Sequence, residues 1–525
     1  MLGVAVVRVR GGDPRVSVVL DGTPLSIDQV AAVAREGTKI DVGDELAARM
    51  APARAVVEDA VERGAVVYGI TTGFGALANV RIERDAAEEL QRSIVRSHAA
   101  GTGDEMPVEV VRGMMLLRAR TLAAGHAGVR PVLVERIVEL LNRGIHPVVP
   151  EHGSVGASGD LAPLAHCALA LIGEGSVRVN GSRILAADAL RDAGIEPVVL
   201  EAKEGLALVN GTEGMLAMAC LAITDLERVL RTADVSCGMS VEALLATDRP
   251  FAEKIHALRP HPGQLASSEN LRRLTAGSSV IASHRTTAHA VQDAYSLRCA
   301  PQVHGACRDA LAYARGVAER ELISEVDNPV VFGDTGDVES AGNFHGEPLA
   351  FALDMLAIAA SEVASISERR TDRMLDPAHS NGLPAFLTPD PGVNSGFMLA
   401  QYTQASLVAE CKRLAVPASV DSIPTSGTTE DHVSMGWDAG LKARRSVSNA
   451  EAVVAIEALA AAQALDLRAP LEPSAAASAV RAAIRERVAF MERDRFLAPD
   501  IDAARELART GALVNAATGA VGDLR

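Results

Sequence analysis

Apolar positions in the middle of the chain step by three or four residues. Leu349, Leu353, Leu356, Ala360, Val363 and Ile366 form one such stripe, the spacing that lines one face of a helix. Phe351, Met355 and Ile358 occupy its other faces, so the pattern predicts a helix that is central and buried. Similar periodicity predicts helices over 304–325, 395–414 and 439–467, and short loops between long helices point to a bundle. The N-terminal part differs. Val4–Val7 and Val16–Leu20 flank Gly11-Gly12-Asp13-Pro14, which reads as a hairpin. Alternation over Val177–Ile184 around Asn180-Gly181 predicts a second one, since Asn-Gly is the strongest short hairpin signal. The resulting partition is an N-terminal region of residues 1–205, a long-helix bundle over 206–469 and a C-terminal helical segment over 470–525 that starts near Pro470. The expected class is mainly α, a long central helix bundle with small β-hairpins in the N-terminal region.

Composition supports that class and narrows the partners. Aromatic residues are only 3% of the chain, so the core must be Ala, Val and Leu. Of these, Ala and Leu are strong helix formers. A net charge of −16 repels phosphates and argues against nucleic-acid binding. No uncharged apolar run reaches the roughly 18 residues of a membrane span. Met1–Arg10 is short and carries Arg8 and Arg10, unlike a signal peptide or anchor, so no membrane association is expected. The six cysteines, at 167, 220, 237, 299, 307 and 411, include no CxxC pair. They read as free thiols in a reducing, cytoplasmic setting. His256 and His261, like His284 and His289, are five residues apart, and HExxH is absent, so no metal site is expected.

The richest segment runs Gly153-Ser154-Val155-Gly156-Ala157-Ser158-Gly159-Asp160-Leu161-Ala162-Pro163-Leu164-Ala165-His166. Its glycines make a bent loop. Asp160 is a candidate N-cap, and Pro163 is tolerated in the first turn of the apolar helix that follows. That helix directs positive potential at the Gly/Ser loop. Neither a phosphate-binding GxxxxGK[ST] nor a GxSxG nucleophile turn is present. Taken alone, the segment is a glycine-rich turn feeding a buried helix.

The whole stretch nevertheless resembles the cofactor-forming loop of the aromatic amino-acid ammonia-lyase family. Other segments resemble the same family in the same order: Val67–Gly75, Arg96–Gly101, Glu204–Thr212, Val291–Val303, Gly342–His345 and Thr429–Met435. The resemblance implies that Ala157, Ser158 and Gly159 cyclise to 4-methylidene-imidazol-5-one (MIO). The Gly159 nitrogen attacks the Ala157 carbonyl, and two waters leave. Gly159 keeps that nitrogen unhindered, and Ser158 supplies the hydroxyl whose loss makes the methylidene.

Eliminating ammonia from an amino acid requires activation of the amine, a base for the β-hydrogen, a carboxylate anchor and a side-chain pocket. By resemblance MIO activates the amine, Tyr295 takes the β-proton and Tyr68 assists at the amine or at a second proton. A tyrosine at its ordinary pKa of about 10 needs a nearby cation or helix N-terminus for this task. Which of the two is the sole base stays open. Arg298, three residues after Tyr295 and on its face in a helix, anchors the carboxylate through its planar fork. Asn210 and Gln292 supply amide contacts, and Phe344 walls the pocket. By resemblance to the histidine-specific pattern within that family, Ser97-His98 and Glu430 imply L-histidine as substrate and trans-urocanate as product, the first step of histidine breakdown. A pocket carboxylate can accept an imidazole N–H, whereas phenylalanine would leave it unpaired at a cost. Thr429 stands where that pattern has Gln, which bears on a supporting hydrogen bond rather than on the carboxylate. A tyrosine or phenylalanine lyase, or a 2,3-aminomutase on the same scaffold, is the alternative. A helical scaffold without activity is a further one, against which Ala157-Ser158-Gly159, Tyr295 and Arg298 all argue. The resemblance also implies a homotetramer in which each site draws on three chains.

Overall fold

The computed structural model describes residues 17–73, 75, 82, 87–286 and 291–525. The chain is mainly α and forms two compact units, each assembled from separated segments. The first holds residues up to Leu221 with Arg315–Leu353 and Pro417–Leu441; the second holds Ala222–Ala314, Asp354–Val416 and Lys442–Arg525. The linear three-part division read from the sequence is a different cut, because the unit boundaries fall inside long helices such as Glu213–Ala243 and Gly436–Asp466.

In the first unit, Ser176–Val179 and Ser182–Leu185 pair antiparallel around Asn180-Gly181, and Ile145–Pro147 adds a third strand. The expected N-terminal hairpin lies outside the described residues except at its end. There Val18–Leu20 pairs in parallel with Ile40–Val42, a partner that local alternation cannot name. Thr102–Glu105 pairs with Pro150–His152, and that second strand leads directly into the Gly153–Gly159 loop. The helix Val108–Ala123 is buried from Val110 onward, three arginines included. Their guanidinium groups find hydrogen-bond partners inside the chain, as burial demands. Arg112 donates to the carbonyls of Val33 at 2.9 Å and Leu141 at 3.1 Å, and Arg118 pairs with Glu213 at 3.1 Å.

In the second unit a core rich in Ala and Leu surrounds the fully buried stretch Ala455–Leu465. Small side chains let helices approach closely, which suits a chain with so few aromatics. A charged pair sits buried inside this unit: Arg370 donates to both carboxylate oxygens of Glu457, at 2.5 and 2.8 Å, with both side chains fully buried.

The helix Glu347–Leu375 departs from expectation. Leu349, Leu353, Leu356, Ala360 and Val363 are buried, but Phe351 and Met355 are 49% and 39% exposed. An all-round apolar pattern predicts all-round burial only when something covers every face, and the single chain leaves one face open. Among the described residues this is the one helix whose length and composition would suit a membrane span; 61% of its apolar window is buried inside the chain, as a core helix requires.

Candidate active site

The loop after Pro150–His152 is gripped from outside. Met435 donates its N–H to the Val155 carbonyl at 2.9 Å, and the Ser434 hydroxyl donates to the Gly156 carbonyl at 3.0 Å. Gly159 has φ +73°, and a Cβ there would lie 2.1 Å from the Gly211 carbonyl oxygen. Only glycine fits so close an approach. Asp160 is the N-cap residue of Leu161–Leu171, yet its side chain does not cap that helix. It accepts from Met215 N–H at 2.9 Å instead, in the first turn of Glu213–Ala243. The expected cap is thus made to a different helix, a choice that depends on a contact 55 residues away. Burial pushes the Asp160 carboxyl up to about 8, with the nearby Glu213 charge adding to the shift.

Beside this loop lies a cavity of about 630 Å³ in the first unit, lined by Tyr68, His98, Ser158, Asn210 and Glu430 together with Ile94, Ser97, Leu161 and Leu206. Five residues singled out from the sequence therefore converge on one cavity from five separate segments. The volume suits a small ligand. Ser158 donates its hydroxyl to Glu430 Oε1 at 3.1 Å, and Thr425 donates to Oε2 at 2.6 Å. His98 ends the helix Ala87–His98, with Nδ1 2.9 Å from the Ile94 carbonyl. That contact assigns the proton to Nδ1 and leaves Nε2 as an acceptor. Burial holds the His98 ring below its ordinary pKa, against the opposing pulls of the Ile94 carbonyl and Glu430, which favours the neutral ring. Asn210 donates through Nδ2 to the Asn328 carbonyl at 3.2 Å. Its Oδ1 is buried with no hydrogen-bond partner among the described residues. The Tyr68 hydroxyl accepts a long contact from Gly75 N–H at 3.4 Å.

Gln292, Tyr295 and Arg298 belong to the second unit and form their own cluster. Tyr295–Arg298 is a single helical turn. The Arg298 guanidinium lies 4.6 Å from the Tyr295 ring centroid and donates to Gln292 Oε1 at 2.9 Å. Arg370 anchors the turn by donating to the Ser296 carbonyl at 3.3 Å, a support invisible in the local sequence. Tyr295 is 71% exposed. Phe344 is half-buried and is not part of the cavity lining.

Two groupings bear on metal binding. His256 is buried and bonded through Nε2 to the Pro250 carbonyl at 2.8 Å and through Nδ1 to Gln264 at 3.0 Å, the signature of a core histidine. His289 lies outside the described residues. His345, Glu347 and His432 bring potential ligand atoms within 4.8 Å of one another, a grouping that sequence spacing did not reveal. Both His345 ring nitrogens are engaged locally, with the His432 carbonyl at 3.1 Å and the Glu347 N–H at 3.4 Å, so the grouping reads as a staple between two loops.

A sequence model of the aromatic amino acid lyase family matches residues 25–486. The histidine ammonia-lyase of Streptomyces avermitilis is 53% identical over 510 residues, which cover 97% of this chain and 99% of that protein. Among solved structures, histidine ammonia-lyase from Trypanosoma cruzi matches with a TM-score of 0.89 and 42% identity over 96% of each chain. Tyrosine aminomutase from Streptomyces globisporus matches with a TM-score of 0.91 and 38% identity, covering 97% of this chain and 100% of that one. Backbones this similar carry both activities, so the choice between them rests on side chains.

Proposed function

The chain belongs to the aromatic amino acid lyase family, and from that premise we propose that it eliminates ammonia from L-histidine to give trans-urocanate. The observation that carries the proposal is the Glu430 carboxylate in the cavity, 3.1 Å from Ser158. An anionic acceptor beside the reacting centre suits a side chain with an N–H to donate. Once the Ser158 hydroxyl has been lost, a hydrocarbon ring would leave Oε1 unpaired, at about 1–3 kcal/mol.

The residues also fit a ring made from Ala157, Ser158 and Gly159. Gly159 sits where no side chain is tolerated, the preceding carbonyls are clamped by Ser434 and Met435, and the Ser158 hydroxyl reaches the cavity. Ala157, Ser158 and Gly159 would hold that ring, which would supply an electrophile to make the substrate amine a better leaving group. The rest falls to the chain's own side chains. Glu430 accepts the imidazole N–H, and neutral His98 offers Nε2 to the same region. The buried Asn210 Oδ1 offers an acceptor beside the loop. By resemblance, Arg298 holds the substrate carboxylate, with Gln292 on its guanidinium, Tyr295 removes the β-proton, Tyr68 assists at the amine and Phe344 walls the pocket. The exposure of Tyr295 in the single chain supports the homotetramer that the resemblance implies, with sites completed by neighbouring chains. The six free cysteines, five of them buried, are in keeping with a cytoplasmic protein.

Intact-mass measurement tests the ring: the purified protein weighs two waters less than its translated sequence, and Ser158→Ala abolishes that difference. A full-mass protein with normal turnover contradicts it. Parallel assays with histidine, tyrosine and phenylalanine test the substrate, and an aminomutase would reveal itself by a β-amino acid product.

A further inference from the structure

Thr425 and Glu430 face each other across the tight turn 426–429. Thr425 N–H donates to the Glu430 carbonyl at 2.9 Å, and Glu430 N–H donates to the Thr425 carbonyl at 3.3 Å. Inside the turn Ser426, Gly427 and Thr428 have φ of 49°, 60° and 68°, left-handed conformations that a β-branched residue such as Thr428 rarely adopts. The backbone thus sets Glu430 directly opposite Thr425. The side chains complete the pairing, since the Thr425 hydroxyl donates to Oε2 at 2.6 Å while Ser158 donates to Oε1 at 3.1 Å. Each carboxylate oxygen therefore has its own hydroxyl donor. Thr425 itself does not line the cavity.

The two donors have different fates. When the loop cyclises, Ser158 loses its hydroxyl as water, and Oε1 gives up that partner. Oε2 keeps Thr425. A carboxylate with no fixed donor rotates about its last carbon–carbon bond; one held at a single oxygen presents the other in a constant direction, which is what preorganised recognition requires. Thr429, at the position where the histidine-specific pattern has Gln, is exposed. The support for Glu430 comes from the other end of the turn.

We propose that Thr425 is a specificity-determining positioning residue: its hydroxyl holds Oε2 of Glu430 so that Oε1 is presented to the N–H of the substrate's side chain. This rests on the reading of Glu430 as the acceptor for an imidazole. Thr425 acts through Glu430 and touches no reacting atom.

The test compares wild type, Thr425→Val, Thr425→Ser and Glu430→Gln as full-length proteins. Three quantities are read: intact mass, equilibrium binding of trans-urocanate, and kcat/KM for histidine and phenylalanine. Thr425→Val keeps shape and deletes the hydroxyl. It weakens urocanate binding and lowers the histidine-to-phenylalanine ratio of kcat/KM by about 10- to 100-fold, the range for losing a hydrogen bond to a charged group. Thr425→Ser returns the donor and restores most of the ratio. The two-water mass deficit stays in all four proteins. A merely structural threonine would lower both substrates together and leave the ratio alone, and that result overturns the proposal. So does a Thr425→Val protein that retains full mass, which would make Thr425 a residue of loop maturation. If Thr425→Val fails to fold, Thr425→Ala carries the same comparison. A collapse of histidine turnover in Glu430→Gln with an unchanged ratio in Thr425→Val sinks only the role of Thr425. Unchanged histidine kinetics in Glu430→Gln sinks the underlying reading of Glu430.

Discussion

At the scale of a single residue, the proposed selector of the substrate is Glu430. Replacing it by Gln keeps size and removes the charge, so on this proposal the site loses a charge-assisted hydrogen bond to the imidazole. We expect histidine kcat/KM to fall by about 10- to 100-fold or more, with activity on tyrosine held or raised; steady-state kinetics on both substrates check this. Asp160 gives a pH signature. Its folded pKa lies near 8, above an unfolded value of about 3.9, so the native state holds this proton longer than the unfolded chain. The resulting stability is complete below about pH 4 and is lost as pH rises toward 8. Asp160→Asn therefore flattens the fall in Tm between pH 5 and 8, measured by thermal denaturation at each pH. An equal fall in both proteins removes Asp160 from this role. The carboxylate at 430 was legible in the sequence because it stands in a recognisable segment. Its donor Thr425 was not, because nothing in a string of residues shows which hydroxyl a turn will carry back to which oxygen. The same holds for Asp160, whose position predicted a cap and whose packing chose another helix.

At the scale of elements, two short pieces matter most. The clamped loop Gly153–Gly159 leaves no room at its last residue, where an added Cβ would lie 2.1 Å from a backbone oxygen. Gly159→Ala should therefore give a protein that lacks the two-water deficit or does not accumulate in folded form, read by intact mass on the soluble fraction. The single turn Tyr295–Arg298 carries the proposed base and anchor. Tyr295→Phe should cut turnover by about two orders of magnitude or more, the usual worth of general acid–base help, while the mass deficit remains. Arg298→Lys should raise KM and lower turnover despite keeping the charge, since the two-pronged geometry is gone. Near-normal kinetics in both variants would reassign these roles. The periodic stripes made the long helices legible, and Asn180-Gly181 made the hairpin legible, because both signals are local. The partner of Val18–Leu20 and the open face at Phe351 and Met355 are non-local, and periodicity carries no information about them.

The whole molecule raises the question of assembly. In the isolated chain the Gln292–Tyr295–Arg298 cluster is largely open to solvent, with Tyr295 71% exposed. A base working in that setting has Arg298 beside it but is not shielded from water. The proposed homotetramer supplies that shielding by closing each site with other chains, and native mass measurement should return four times 54.7 kDa. Complementation tests the sharing of sites: Tyr68→Phe and Tyr295→Phe chains, each nearly inactive alone, should regain part of the activity when co-expressed. No recovery in a confirmed mixed assembly would place a complete site within one chain.

The central claim is that the pocket carboxylate selects histidine from among the substrates this fold can serve. Steady-state turnover of the unmodified enzyme on histidine, tyrosine and phenylalanine, at matched concentrations and with products identified, addresses it most directly. The account predicts urocanate from histidine, at a kcat/KM above that for tyrosine and at least about a hundredfold above that for phenylalanine, which has no donor for the carboxylate, as expected of a site built to pair a polar group. Preference for tyrosine or phenylalanine, or a β-amino acid as the main product, would contradict it.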